Sequence, residues 1–194
     1  MPLKVMRAPK GADEALQRGI MELAAADALD ADLRSVARLE PPLRVFVLDA
    51  SALKMERPLD EARQVAWRYT LLDADGKPIG FAELVAGPRG RLSLAQVGGA
   101  EGARSARDAL TAAETSPLAR VANCEARLLR LPAAYLTAVW LAPASEKGED
   151  VLVPVAPAPD GVEPHQSYTV ADLMKAVKPT VDQQLGLKVS RQRA

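Results

Sequence analysis

The chain contains a single cysteine and a single histidine, and that scarcity removes several chemistries together. No internal disulfide can form, and a structural zinc site, which needs several thiolates or imidazoles at one point, lacks ligands. A thiol–imidazole dyad has one possible composition, Cys124 with His165. Cys124 falls on a predicted strand beside Ala122, Ala126 and Leu128, the surroundings of an inert, buried thiol. His165 follows Pro164 in a polar stretch and is expected to be a loop residue.

Neither sign of charge prevails, since 25 Lys+Arg balance 25 Asp+Glu. Nucleic-acid and anionic-membrane binders carry a basic excess or a concentrated basic face, so neither partner is expected. The small basic groups at the ends, Lys4, Arg7 and Lys10, then Lys188, Arg191 and Arg193, are those of solvated termini. No apolar run approaches the ~18 residues of a membrane span, and none after Met1 suits a signal peptide. The expected location is the cytoplasm, and the Ala-, Arg- and Pro-rich usage suggests a bacterial source.

Aromatic residues make up only 4%. The hydrophobic share is 48%, but much of it is alanine, so core volume must come from Leu and Val. Trp67, Tyr69, Phe81, Tyr135 and Trp140 are the few large anchors. The phosphate-binding Gly-x-x-x-x-Gly-Lys-Ser/Thr, the Gly-x-Ser-x-Gly elbow and His-Glu-x-x-His are all missing. Asp73-Ala-Asp75-Gly76 lacks the further acidic ligands of a calcium loop. Val97-Gly-Gly-Ala-Glu-Gly102 leads from a strand into a helix, but Glu101 would repel phosphate there. No catalytic residue, cofactor or metal ligand is assigned.

What is present is secondary-structure patterning. Residues 11–40 are predicted helical: Leu16, Ile20 and Leu23 share one face, and Leu29, Leu33 and Val36 repeat it after a phase slip near Ala26-Asp27-Ala28. Two short helices or one bent helix should end at Pro41-Pro42. Residues 43–155 are expected to form a mainly antiparallel sheet with one inserted helix at about 100–114. Leu110 is the only large apolar residue of that helix, so its packed face must be flat. Trp67 to Val85 forms a hairpin around Asp73-Ala74-Asp75-Gly76, with Gly76 left-handed. A three-residue loop pairs Asp73 with Lys77, Leu71 with Ile79 and Tyr69 with Phe81, gathering the aromatics on one face. A strand over 135–141 is apolar on both faces, as a covered central strand is. Pro154 marks an edge or a strand end. Thr169 and Asp172 make a capping pair for a helix over 169–186, kinked or split near Pro179.

The expected fold class is therefore α+β: one domain, 1–194, with an antiparallel meander of about six strands packed against helices. It carries a helical N-terminal segment and a C-terminal helix. With no nucleophile–base, metal or phosphate constellation, the balance falls against an enzyme. The expected function is a cytoplasmic protein-interaction module (adaptor, inhibitor or accessory subunit) with a protein partner or self-association. The acidic N-terminal helix or a sheet edge near Val151–Val155 would supply the contact. The alternative is a small-molecule-binding α+β domain or a carboxylate-dependent enzyme. Its pocket would lie between sheet and helices, lined by Trp67, Tyr69, Phe81 and Trp140.

Overall fold

A computed structural model describes residue 4, 6–116, 123–144 and 148–192, with side chains described as far as Gly186 in the last helix. The fold class is the expected α+β, with nine strands among the described residues where about six were expected. The chain forms two compact units interleaved in sequence: Val5–Val45 with Val65–Arg107, and Met1–Lys4 with Phe46–Gln64 and Asp108–Ala194.

In the first unit, α1 (Ala12–Ala25) starts behind Gly11 and carries Asp13 and Glu14 in its first turn, where the helix dipole favours carboxylates. The predicted helical segment is shorter than 11–40. It stops at Ala25, Asp27 takes a positive φ of 52°, a 3-10 turn spans Ala31–Ser35, and Arg38–Leu39 is a strand, β1. The phase slip thus separates α1 from a short 3-10 helix rather than bending one continuous helix. Leu33 and Leu29 still bury, reached from a turn instead of a helix.

Strands β3 (Arg63–Leu72), β4 (Pro78–Ala86) and β5 (Leu92–Gly99) form a meander, with β1 pairing antiparallel to the end of β3. Asp73 N–H donates to the Lys77 carbonyl at 3.0 Å, and Gly76 has φ 81°, as the turn chemistry requires. The register beyond the turn departs from expectation. Leu72 pairs with Pro78 but Leu71 pairs with Gly80, so Ile79 is an extra, bulged residue. Thr70, not Tyr69, therefore opposes Phe81, and the aromatics divide between the two faces.

On one face Tyr69, Leu71, Ala82 and Leu84 pack with Ala12, Ala15, Leu16, Leu29 and Leu33, with Trp67 against their margin. The other face carries Arg68, Phe81 and Glu83. Helix α2 (Ala100–Thr115) runs from this unit into the next. Its buried positions, Ala103, Ser105, Ala109 and Ala113, give the flat face its composition implied.

In the second unit, β6 (Cys124–Leu131), β7 (Leu136–Pro143), β8 (Val151–Pro154) and β9 (Tyr168–Thr169) follow one another in an antiparallel sheet. β2 (Leu43–Val47) crosses from the first unit into this one. β7 is the covered strand expected, with Ala138, Val139, Trp140, Leu141 and Ala142 all buried. Tyr135, counted among the core anchors, is instead 69% exposed, in a left-handed turn with φ 53°. It closes the 3-10 turn Pro132–Ala134 that joins β6 to β7, so its side chain leaves the alternation of either strand. The expected open edge near Val151–Val155 is also absent. All five residues are buried, and β9 pairs with Val151 and Leu152.

Helix α3 (Val170–Gln192) begins as the sequence implies. Thr169 Oγ1 accepts from Asp172 N–H at 3.2 Å and donates to the Asp172 carboxylate at 2.8 Å. It continues through Pro179 rather than splitting there. Leu173, Met174, Val177 and Val181 form a buried stripe on both sides of that proline, and packing of this kind outweighs local propensity. The expected continuation of the stripe at Leu185 is 41% exposed. Val121, Ala122 and the Glu146–Lys147 part of the polar tip lie outside the described residues.

Candidate functional site

The four aromatic residues expected to line a pocket are engaged in packing. Tyr69 is 2% exposed in the core of the first unit, and Trp67 lies half-buried against it. Phe81, on the opposite face, sits under Arg68, whose guanidinium carbon is 3.9 Å from the ring centroid. Arg68 Nε donates to Glu83 Oε1 at 2.6 Å, and both side chains are nearly inaccessible. Gly98 faces Phe81 across the β4–β5 ladder, and a Cβ at Gly98 would overlap the ring. Gly102, in the first turn of α2, lies against the same ring. The Gly98-Gly99-x-x-Gly102 pattern therefore serves close approach to an aromatic ring.

Trp140 belongs to the core of the second unit. Its ring meets Phe46 edge-on at a centroid distance of 5.2 Å, its Nε1 donates to Asp150 Oδ1 at 2.7 Å, and the Arg127 guanidinium lies 4.6 Å above it. Arg127 also donates to Glu125 Oε2 at 2.8 Å.

Cys124 is buried on the face of β6 that carries Ala126 and Leu128. Burial first, and then the negative charge of Asp150, push its thiol pKa up, away from the thiolate a nucleophile needs. His165 is half-buried at a φ of 63°, its N–H donating to the Pro154 carbonyl at 2.9 Å. Among the described residues no group of three or more His, Cys, Asp or Glu side chains is placed to hold a metal ion.

The Tyr69 hydroxyl is buried with no hydrogen-bond partner among the described residues. Burial, reinforced by the Asp13 carboxylate, pushes its pKa up to about 12 from the ordinary 10.0. Between those two values the unfolded chain has lost a proton that the folded chain still holds. Stability is therefore intact below pH 10 and falls as pH climbs towards 12, by about 2–3 kcal/mol. Tyr69→Phe should abolish that alkaline loss. At pH 7 it should leave stability unchanged or raise it by about 1 kcal/mol, because an unsatisfied buried hydroxyl is removed. Denaturant unfolding of both proteins at pH 7 and pH 11 measures this, and a destabilised variant at pH 7 would contradict it.

The surface feature that the core does not explain lies between α1 and β1. Leu16, Ile20, Val36 and Leu39 line an apolar hollow of about 500 Å³, with Gln17, Met21, Ala37 and Arg38 completing its rim. Met21 is 71% exposed and Leu39 38% exposed. Met21 also borders a second hollow of about 450 Å³ on the α1 surface, with Glu14, Arg18 and Glu22 around it. The α1 periodicity makes this arrangement: Leu16 and Ile20 turn inward while Met21 and Gln17, one step round the helix, face solvent. The acidic helix is visible in the sequence but the hollow is not, because Leu39 comes opposite α1 only through the pairing of β1 with β3. Compared with protein-family models, with curated proteins and with solved structures, the chain gives no significant match to any.

Proposed function

We propose that the chain is a protein-interaction module with no catalytic role of its own, working in a bacterial cytoplasm and making contact through the hollow between α1 and β1. The observation that carries this reading is the exposure of Met21 and Leu39 beside an apolar hollow already formed in the fold. A large, flexible thioether left in water is a common device of protein-binding surfaces, and small apolar depressions with polar rims suit anchor residues of a partner. The even charge of the chain and its inert thiol agree with a binding role.

The test uses the host's lysate and two baits, the native chain and a Met21→Asp/Leu39→Asp variant shown by circular dichroism to be folded. A protein retained at stoichiometric level by the native chain and lost by the variant is the expected result. If nothing is retained and the chain does not associate with itself, the reading is wrong.

A further inference from the structure

We infer that β5 pairs edge to edge with the β5 of a second copy of this chain, antiparallel about a two-fold axis, so that the sheets of two first units become continuous. β5 is bonded to β4 on one side and, among the described residues, to no strand on the other. Such an edge is a row of free N–H and C=O groups, and what satisfies it is another extended strand. Short length, charge and proline, which usually blunt an edge, are all missing. Leu92-Ser-Leu-Ala-Gln-Val-Gly-Gly99 is eight residues long and holds no charged residue and no proline. One blunting device is present, a bulge, and it keeps the edge compatible with a copy of itself. Gly87 N–H donates to the Arg91 carbonyl, while Glu83 pairs with Gln96 and Leu84 with Leu94, so Ala95 is the extra residue. Alternate residues turn their backbone groups towards β4, which leaves those of Leu92, Leu94, Val97 and Gly99 pointing outward. That uneven set is symmetric about the midpoint between Ala95 and Gln96. A second copy laid antiparallel about the midpoint repeats it in register, with Leu92 facing Gly99 and Leu94 facing Val97, each twice. Leu92, Leu94 and Val97 already pack on the α1 side of the sheet, so the new pairs extend that apolar layer across the axis.

The ends of the strand carry opposite charge. Arg91 precedes β5, and Glu101 follows it in the first turn of α2. Both are exposed, and neither side chain forms an ion pair among the described residues. The antiparallel pairing sets Arg91 of each copy beside the start of the other's α2, where Glu101 stands. A parallel pairing would set Arg91 against Arg91. Arg89 at the hairpin tip adds to the positive end, and Arg104 lies a turn beyond Glu101 along α2. Such pairs set orientation and discriminate against wrong partners more than they add affinity. The contact uses a different part of the first unit from the α1–β1 hollow and goes beyond the reading built on it.

Sedimentation velocity over a concentration series, with amide hydrogen exchange at both ends of that series, tests the inference on the full chain. The native protein should pass from one to two chain masses. The Leu92, Leu94, Val97 and Gly99 amides should gain protection as it does, while Ser93 and Gly98, already turned towards β4, should not change. Gln96→Lys, at an exposed position beside the axis, brings like charges together there. It should hold the protein at one mass with an unchanged circular dichroism spectrum. Arg91→Glu should weaken association about tenfold, since two pairs are lost at once, and Arg91→Glu/Glu101→Arg should restore it. Met21→Asp/Leu39→Asp should leave the dimer intact, which separates this contact from the α1–β1 hollow. A native chain that stays at one mass throughout overturns the inference. So does a dimer whose outward β5 amides gain no protection, one abolished by the Met21/Leu39 variant, or a charge swap that restores nothing. If those amides are protected only when a host protein is added, the edge takes a foreign strand and the second copy is the wrong occupant.

Discussion

Arg68→Met should destabilise the first unit by about 3–5 kcal/mol, measured by denaturant unfolding. The guanidinium is the ion-pair partner of a carboxylate that is almost wholly out of water, with Arg68 Nε 2.6 Å from Glu83 Oε1. Removing Arg68 takes from the buried Glu83 carboxylate the opposite charge that lies 2.6 Å away, and breaking such a pair costs more than the packing lost with it. The stacking of the guanidinium on Phe81 goes too, but methionine keeps most of the contact area over the ring. The double variant Arg68→Met/Glu83→Leu should recover most or all of the loss, because two apolar side chains of similar volume carry no desolvation cost. A single variant as stable as the parent would mean that water reaches Glu83. A double variant no better than the single would mean that the pair is held by geometry that apolar residues cannot fill.

The second large effect concerns Trp140→Ala, expected to cost about 3–5 kcal/mol. Trp140 packs edge-on against Phe46, with the Arg127 guanidinium over both rings, and its indole N–H donates to Asp150 just before β8. Truncation opens a cavity in the sheet-and-α3 core and leaves Asp150 without that donor. Trp140→Phe should cost less, since the ring is mostly replaced and only the hydrogen bond and part of the volume are lost. Hydrogen exchange locates the damage. Protection should fall in β6, β7, β8 and α3, whose core residues share the Trp140 cluster, while β3–β5 amides keep theirs. Equal loss throughout the chain would refute this localisation.

Much of the fold was legible because local chemistry and packing agree. The Asp73–Gly76 turn, the Thr169–Asp172 cap, the covered β7 strand and the alanine face of α2 each follow from residues within a few positions of one another. What could not be seen depended on a single residue of register. The bulge at Ile79 leaves the turn intact yet moves Phe81 to the face opposite Tyr69. No alternation rule detects this, because both faces of β4 accept apolar residues. A usable signal existed in the opposite charges Arg68 and Glu83, which pair across the strands in the observed register and not when Tyr69 opposes Phe81, and in Gly98, which leaves room for a ring. Likewise β1 is two residues long and gains its extended form from Leu71 and Leu72, far away in sequence. The α1–β1 hollow was illegible for that reason: one of its walls exists only through a long-range pairing.

The brevity of β9 bears on how the chain avoids self-templating. Val151-Leu-Val-Pro-Val155 is apolar and uncharged, and an apolar strand edge left uncovered is a template for pairing with another chain, a hazard that its own Pro154 already reduces. Its outer side is occupied by Tyr168 and Thr169, at the end of a loop containing three prolines, and by His165, whose N–H donates to the Pro154 carbonyl. Tyr168 is tied back by its hydroxyl, which accepts from Glu163 N–H at 3.0 Å, and Thr169 by its place as the cap of α3. Pro154, with no N–H to offer a newcomer, closes the end of β8 that β9 does not reach. The proline-rich loop thus acts as a gatekeeper. It keeps this apolar segment committed to an intramolecular neighbour.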